Sequence, residues 1–94
     1  MSALTADSRI EKTGRHVEST LDGELVLMDT DSGRFLSLSG TGLRIWQLLD
    51  EHRQFGPLVG QLMSEFDVDA QQCETDVAAV LYAMQARGMI AIAG

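Results

Sequence analysis

Two turn signals close together constrain this chain more than any other feature. Asp22-Gly23 and Thr30-Asp31-Ser32-Gly33 bracket the apolar segment Glu24–Asp29. Asp and Gly tolerate the positive φ that a two-residue hairpin turn requires, so Asp22-Gly23 predicts a type I′ hairpin. The flanking segments Arg15–Thr20 and Arg34–Leu38 then pair with Glu24–Asp29 as a three-stranded antiparallel meander. In the middle strand Leu25 and Leu27 face one way, Val26 and Met28 the other. In the last strand Leu36 and Leu38 oppose Phe35. Both faces of this small sheet carry apolar side chains, and both outer strands keep a free edge. One face needs the N-terminal arm, a second copy or a partner to cover it.

At Ser39 the apolar period changes from about two to about 3.6, the helical value. Ser39 is placed to cap a helix through its hydroxyl, and Leu43, Ile45, Trp46, Leu48 and Leu49 give that helix a broad apolar face. Phe55, Leu58, Val59, Leu62, Met63 and Phe66 form the unbroken stripe of a second helix, with Pro57 in its first turn, where no amide bond is lost. A third helix starts at Asp69, with Gln72 at capping-box spacing. It carries Cys73, Val77, Val80, Leu81 and Met84 inward and stops at Gly88. Met89–Ile92 reads as a short strand-like tail. The short break at Asp67-Val68 resembles a helix-turn-helix. The expected fold is therefore α+β and winged helix-turn-helix-like, a three-stranded antiparallel sheet followed by three helices. Residues 1–13 lack periodicity and read as a flexible N-terminal arm before a domain spanning 14–94.

Charge narrows the function. The chain has 94 residues, 14 acidic and 7 basic, for a net charge of −7. The length allows one domain. The acidic balance disfavours nucleic acid and anionic lipid, both of which require clustered Lys and Arg. The basic residues here are scattered along the chain. No apolar run is long enough to span a membrane, no secretory signal is visible, and a single cysteine forms no internal disulfide. A cytoplasmic location is the expectation.

Chemistry-bearing motifs are scarce. His16, His52 and Cys73 show no metal-ligand spacing. Cys73 lies on an apolar helix stripe and reads as a buried small hydrophobe. Gly40-Thr41-Gly42 is too short for a phosphate loop. Asp31-Ser32 lacks the following helix that an acyl carrier's attachment serine needs. The expectation is a chain without catalytic residues, metal or cofactor.

What remains is surface. The strand Arg34–Leu38 carries one charge and none of the Lys, Pro or bulges that usually blunt an edge. Such an edge invites an added peptide strand, unless the third helix or the tail already covers it. A proline at Leu36 is the natural probe if that amide points outward.

These blocks in series resemble the PqqD-like family, the precursor-peptide recognition elements of ribosomally made, modified peptides. The matching text is DGELVLMD, DSGRFLSLSGTGLRIWQLLD, LVGQLMSEFDVD and DVAAVLYAMQARGMI, over Leu21–Ile92. The resemblance implies three antiparallel strands, then three helices, and a non-catalytic binding module. Its members hold the leader segment of a precursor peptide as an extra strand and present the core to a modifying enzyme or leader peptidase. Carried onto this sequence, the edge is Arg34, Phe35, Leu36, Ser37 and Leu38. The wall is the third-helix flank spaced at Asp76, Val80, Ala83 and Arg87. Small Ala83 leaves room for a leader side chain, and Asp76 and Arg87 are placed to read leader charges. Members of the quinone pathway carry a Tyr-Pro-Glu-Gly-like turn and a Cys-Asp-Gly. Asp29–Gly33 and Leu49-Asp50-Glu51 stand in those places here, nearer to members from lasso-peptide and related clusters.

Two other classes compete. A winged-helix transcription regulator would send the third helix into the major groove, where Asp69, Glu74 and Asp76 have the wrong sign for phosphates. A homodimeric interaction module would pair its open edges with each other.

Overall fold

The computed structural model describes residues 4–14 and 16–93. Five strands and three helices follow in the order β1 (Arg9–Lys12), β2 (His16–Leu21), β3 (Glu24–Asp29), β4 (Phe35–Leu38), α1 (Gly40–Leu48), α2 (Phe55–Glu65), α3 (Ala70–Ala86) and β5 (Ile90–Ala93). Arg15, the expected start of the first meander strand, lies outside the described residues.

The meander is present as the antiparallel sheet β2-β3-β4. Asp22 at φ 47° and Gly23 at φ 80° both take the left-handed conformation that the two-residue hairpin requires. The second turn is organised by Asp29, whose carboxylate accepts from the Asp31 amide at 2.9 Å and from the Ser32 hydroxyl at 3.1 Å. Leu25, Leu27 and Leu38 turn inward to the core. On the opposite face Val17, Met28 and Phe35 lie side by side across the three strands and remain exposed, Phe35 at 62%. Among the described residues, the N-terminal segment does not cover them.

That segment is the main departure from expectation. Residues 1–13 read as a loose arm because they lack an apolar period. Yet β1 pairs antiparallel with β5, Ile10 opposite Ile92, and Ile10 is fully buried. One apolar side chain in a four-residue strand leaves no periodic signal. The pairing partner lies at the far end of the chain, invisible to local reading. Upstream of β1, main-chain carbonyls do the work of a helix cap. Phe55 N–H donates to the Ser8 carbonyl and Gly56 N–H to the Ala6 carbonyl, both at 3.0 Å. This satisfies amides at the start of α2, whose N-cap Gln54 gives no side-chain bond. Gly56 is required there, since a Cβ would sit 2.9 Å from the Ala6 Cβ.

The helices bury the expected stripes: Ile45, Trp46 and Leu48 from α1, Phe55, Leu58, Val59 and Leu62 from α2, Cys73, Val77, Leu81 and Met84 from α3. Two capping details differ. Ser39 is the N-cap of α1, but its side chain makes no cap bond. Asp69 caps α3 by accepting from Gln72 N–H at 3.1 Å, while the Gln72 side chain turns to Asp76 instead of closing the box. The end of α3 is a Schellman motif: Met89 N–H bonds the Met84 carbonyl and Gly88 N–H the Gln85 carbonyl, with Gly88 at φ 74°. That reversal sends the chain into β5. A bidentate pair, Arg44 to Glu65 with both bonds at 2.7 Å, ties α1 to the end of α2.

Candidate functional site

Strand β4 is a sheet edge, since β3 is its only partner among the described strands. The tail does not cover it, because β5 pairs with β1. Which main-chain groups face out follows from the register. Asp29 N–H donates to the Arg34 carbonyl at 2.8 Å, so these two form a bonded pair. Bonded and non-bonded pairs alternate along an antiparallel ladder. With Leu27 opposite Leu36 and Leu25 opposite Leu38, Leu36 and Leu38 turn their amides toward β3. The N–H and C=O of Phe35 and Ser37 therefore point to the open edge. A proline at Leu36 is thus the wrong probe of the edge: it strikes the β3 ladder, and Ser37 is the position to test.

The end of the third helix reaches this edge. At its C-terminal end the exposed Arg87 guanidinium donates to the Phe35 carbonyl at 2.6 Å, confirming that this carbonyl faces away from β3. Gly33, Arg34, Phe35, Leu36, Ser37 and Arg87 line an open groove of about 480 Å³. Leu36 and Val80 are partly buried and pack on the core from β4 and α3. Ala83 is exposed on the same helix flank, one turn before Arg87. Asp76 is exposed near the opposite end of α3 and lines a separate recess of about 110 Å³ with Thr41, Leu62, Phe66, Val68, Cys73 and Val77. Because Thr41 follows β4 closely in the chain, this recess lies beyond the Leu38 end of the strand. The structure thus joins Arg34, Phe35, Leu36, Ser37 and Arg87 around one groove. Leu38 is buried as core, and Asp76 belongs to the second recess.

Gly33, Thr41, Phe66 and Val68 were not expected as lining residues. Phe66 and Val68 flank the break between α2 and α3, where the amphipathic stripe ends, and both stay exposed. An apolar pair at the point where the stripe runs out was the available signal.

The charge pattern has a direction. Arg34 and Arg87 stand at one end of β4, Asp76 at the other. Nucleophilic chemistry has little support nearby. The Cys73 thiol is pushed above its usual value by burial and by the carboxylates of Asp76 and Glu74, so it stays protonated. No cluster of His, Cys, Asp and Glu suited to a metal ion occurs among the described residues. No described helix is long and apolar enough to cross a membrane.

A three-stranded meander whose last strand is an open edge beside the end of a helix is a class of fold rather than a single protein. Residues 24–90 match the family model described as coenzyme PQQ synthesis protein D (PqqD), and the chain belongs to that family. Two solved structures share the fold. TbiB1 in complex with the TbiA(beta) leader peptide is 28% identical, with a TM-score of 0.77, over 85% of this chain and 93% of that one. A lasso peptide synthetase B1 complexed with the leader peptide is also 28% identical with a TM-score of 0.77, over 88% and 98%. Among curated proteins no match to this sequence was found.

Proposed function

We propose that this chain captures the leader segment of a ribosomally synthesised precursor peptide as an added strand on β4 and delivers it to a modifying enzyme or leader peptidase. The observation that carries this reading is the open edge of β4. Phe35 and Ser37 turn their main-chain groups to a groove bounded by Arg87 at the end of α3, in a chain similar along most of its length to two leader-bound proteins.

The mechanism is substrate delivery. Phe35 and Ser37 each exchange an N–H and a C=O bond with the leader, and each bond contributes roughly 0.5–1.5 kcal/mol net. Apolar leader side chains settle over Leu36, Val80 and Ala83, and the recess around Phe66 and Val68 takes another. Main-chain pairing sets register and the side-chain pockets set specificity. Ordering the leader offsets part of the gain, so affinities from about 10 nM to 10 μM are expected. Tethering the core peptide beside an enzyme raises its local concentration to roughly millimolar. The chain itself acts without catalysis.

The two neighbours favour a lasso-peptide or related pathway over quinone biosynthesis, as does the turn Asp29–Gly33. The acidic composition and the exposed Glu74 and Asp76 on α3 speak against duplex DNA. Titration with the leader peptide encoded beside this gene tests the proposal. Saturable binding that quenches on Ser37→Pro supports it; binding indifferent to every change along β4 and α3 overturns it.

A further inference from the structure

We infer that Arg87 is a specificity latch, which selects leaders carrying a carboxylate on the α3 side of the added strand, at the residue opposite Arg34. This rests on the leader-capture reading and adds the chemistry of the captured segment.

The contact that motivates it is the bond from the Arg87 guanidinium to the Phe35 carbonyl, at 2.6 Å. That carbonyl is one of the edge acceptors an incoming strand must use. In the unbound protein it is therefore already occupied, by a side chain of the groove wall. When a leader N–H takes the carbonyl, the guanidinium must give it up. Arg87 is exposed, and its guanidinium has planar donors shaped for a carboxylate. Left without a partner, the displaced cation loses a charge-assisted bond, and a leader carboxylate within reach restores one. Arg34 lines the same end of the groove and adds a second positive charge.

The register says where the carboxylate sits. A leader residue bonded to Phe35 points its side chain to the same outer face as Phe35, away from α3. Its neighbours, opposite Arg34 and Leu36, point to the α3 side. The residue opposite Leu36 meets Leu36, which like Val80 of α3 packs on the core, an apolar floor. The residue opposite Arg34 meets Arg34 and Arg87. The recognised segment is thus an acidic residue, any residue, then an apolar residue, along the strand in whichever direction it runs. Asp76, beyond the other end of β4, discourages a carboxylate there, so the preference has one end only.

The experiment is selection of peptides from a randomised display library on the full chain, with amide shift mapping of the selected binders, repeated on Arg87→Glu and Arg87→Gln. Groove binders from the unchanged protein should carry Asp or Glu two residues from an apolar one. Those peptides should bind Arg87→Glu about tenfold or more weakly, and selection on that variant should turn to Lys or Arg at the same position. Arg87→Gln, which keeps the helix end intact, should lose the acidic preference without gaining a basic one. Peptides that map to the groove but show no acidic preference, or an unchanged one on both variants, would overturn the latch and leave leader capture standing. No binder in the groove from any library would overturn both.

Discussion

The Arg87 side chain donates to the Phe35 carbonyl at 2.6 Å, linking residues 52 positions apart in the chain. This one bond fixes the end of α3 against the open edge of β4. It marks Phe35 as an outward-facing position and makes the groove a joint product of strand and helix.

Proline scanning of β4 separates edge from ladder. Ser37→Pro removes an outward N–H and is tolerated on an edge strand. It should keep the melting temperature within a few degrees and weaken leader binding by about tenfold or more. Leu36→Pro removes an N–H directed at β3 and should destabilise the fold itself. Calorimetry with thermal melts reads both. Equal loss of binding with equal stability in the two variants would refute the assigned alternation.

Strand β1 is part of the fold. Ile10 is fully buried and β1 pairs with β5. Ile10→Ala should cost about 2–5 kcal/mol in chemical denaturation, the range for emptying a core site. A loose arm would tolerate the change without measurable loss.

Gly88 turns the end of α3 through a left-handed conformation, with space for a methyl group but not the right backbone preference. A Cβ there would lie 3.7 Å from the nearest atom, Asp29 Oδ2, an ordinary contact. Gly88→Ala should therefore cost about 1–2 kcal/mol from conformation alone. Denaturant midpoints measure it, and a neutral result would contradict the Schellman ending.

Glu65 gives a pH signature. Its hydrogen bonds from Arg44 and then Gln61 hold its carboxyl down to about 2, against an ordinary value of 4.5. A depressed carboxylate stabilises the fold above its unfolded value, and that stabilisation is lost as pH falls from about 4.5 toward 2. The pair is partly exposed, so the effect is modest and weakens with salt. Thermal melts between pH 6 and 3 should fall less steeply in Glu65→Gln than in the parent. Parallel curves would show that the pair does not couple to folding.

Much of the fold was legible because it is local. Asp22-Gly23 and Asp29–Gly33 specify turns from residue type, and the stripe Phe55–Phe66 specifies a helix from spacing. Gly88 after Arg87 stops the third helix by conformation. What escaped reading is non-local. The partnership of β1 with β5 joins the two ends of the chain. The cap on α2 comes from the Ala6 and Ser8 carbonyls rather than from a side chain. The candidate groove was legible as a type of surface, an unguarded edge, while its detail was not. Alternation along β4 depends on the Asp29–Arg34 bond, and the position of Arg87 depends on where α3 ends beside β4. The recess around Phe66 and Val68 forms only when three helices meet.

Hydrogen exchange along β4 reads strand addition amide by amide. The unbound protein should exchange the Phe35 and Ser37 amides fast and the Leu36 and Leu38 amides slowly. On saturation with the leader peptide encoded beside its gene, the Phe35 and Ser37 amides should become protected while Leu36 and Leu38 change little. Saturable binding that leaves Phe35 and Ser37 in fast exchange would contradict strand addition at this edge.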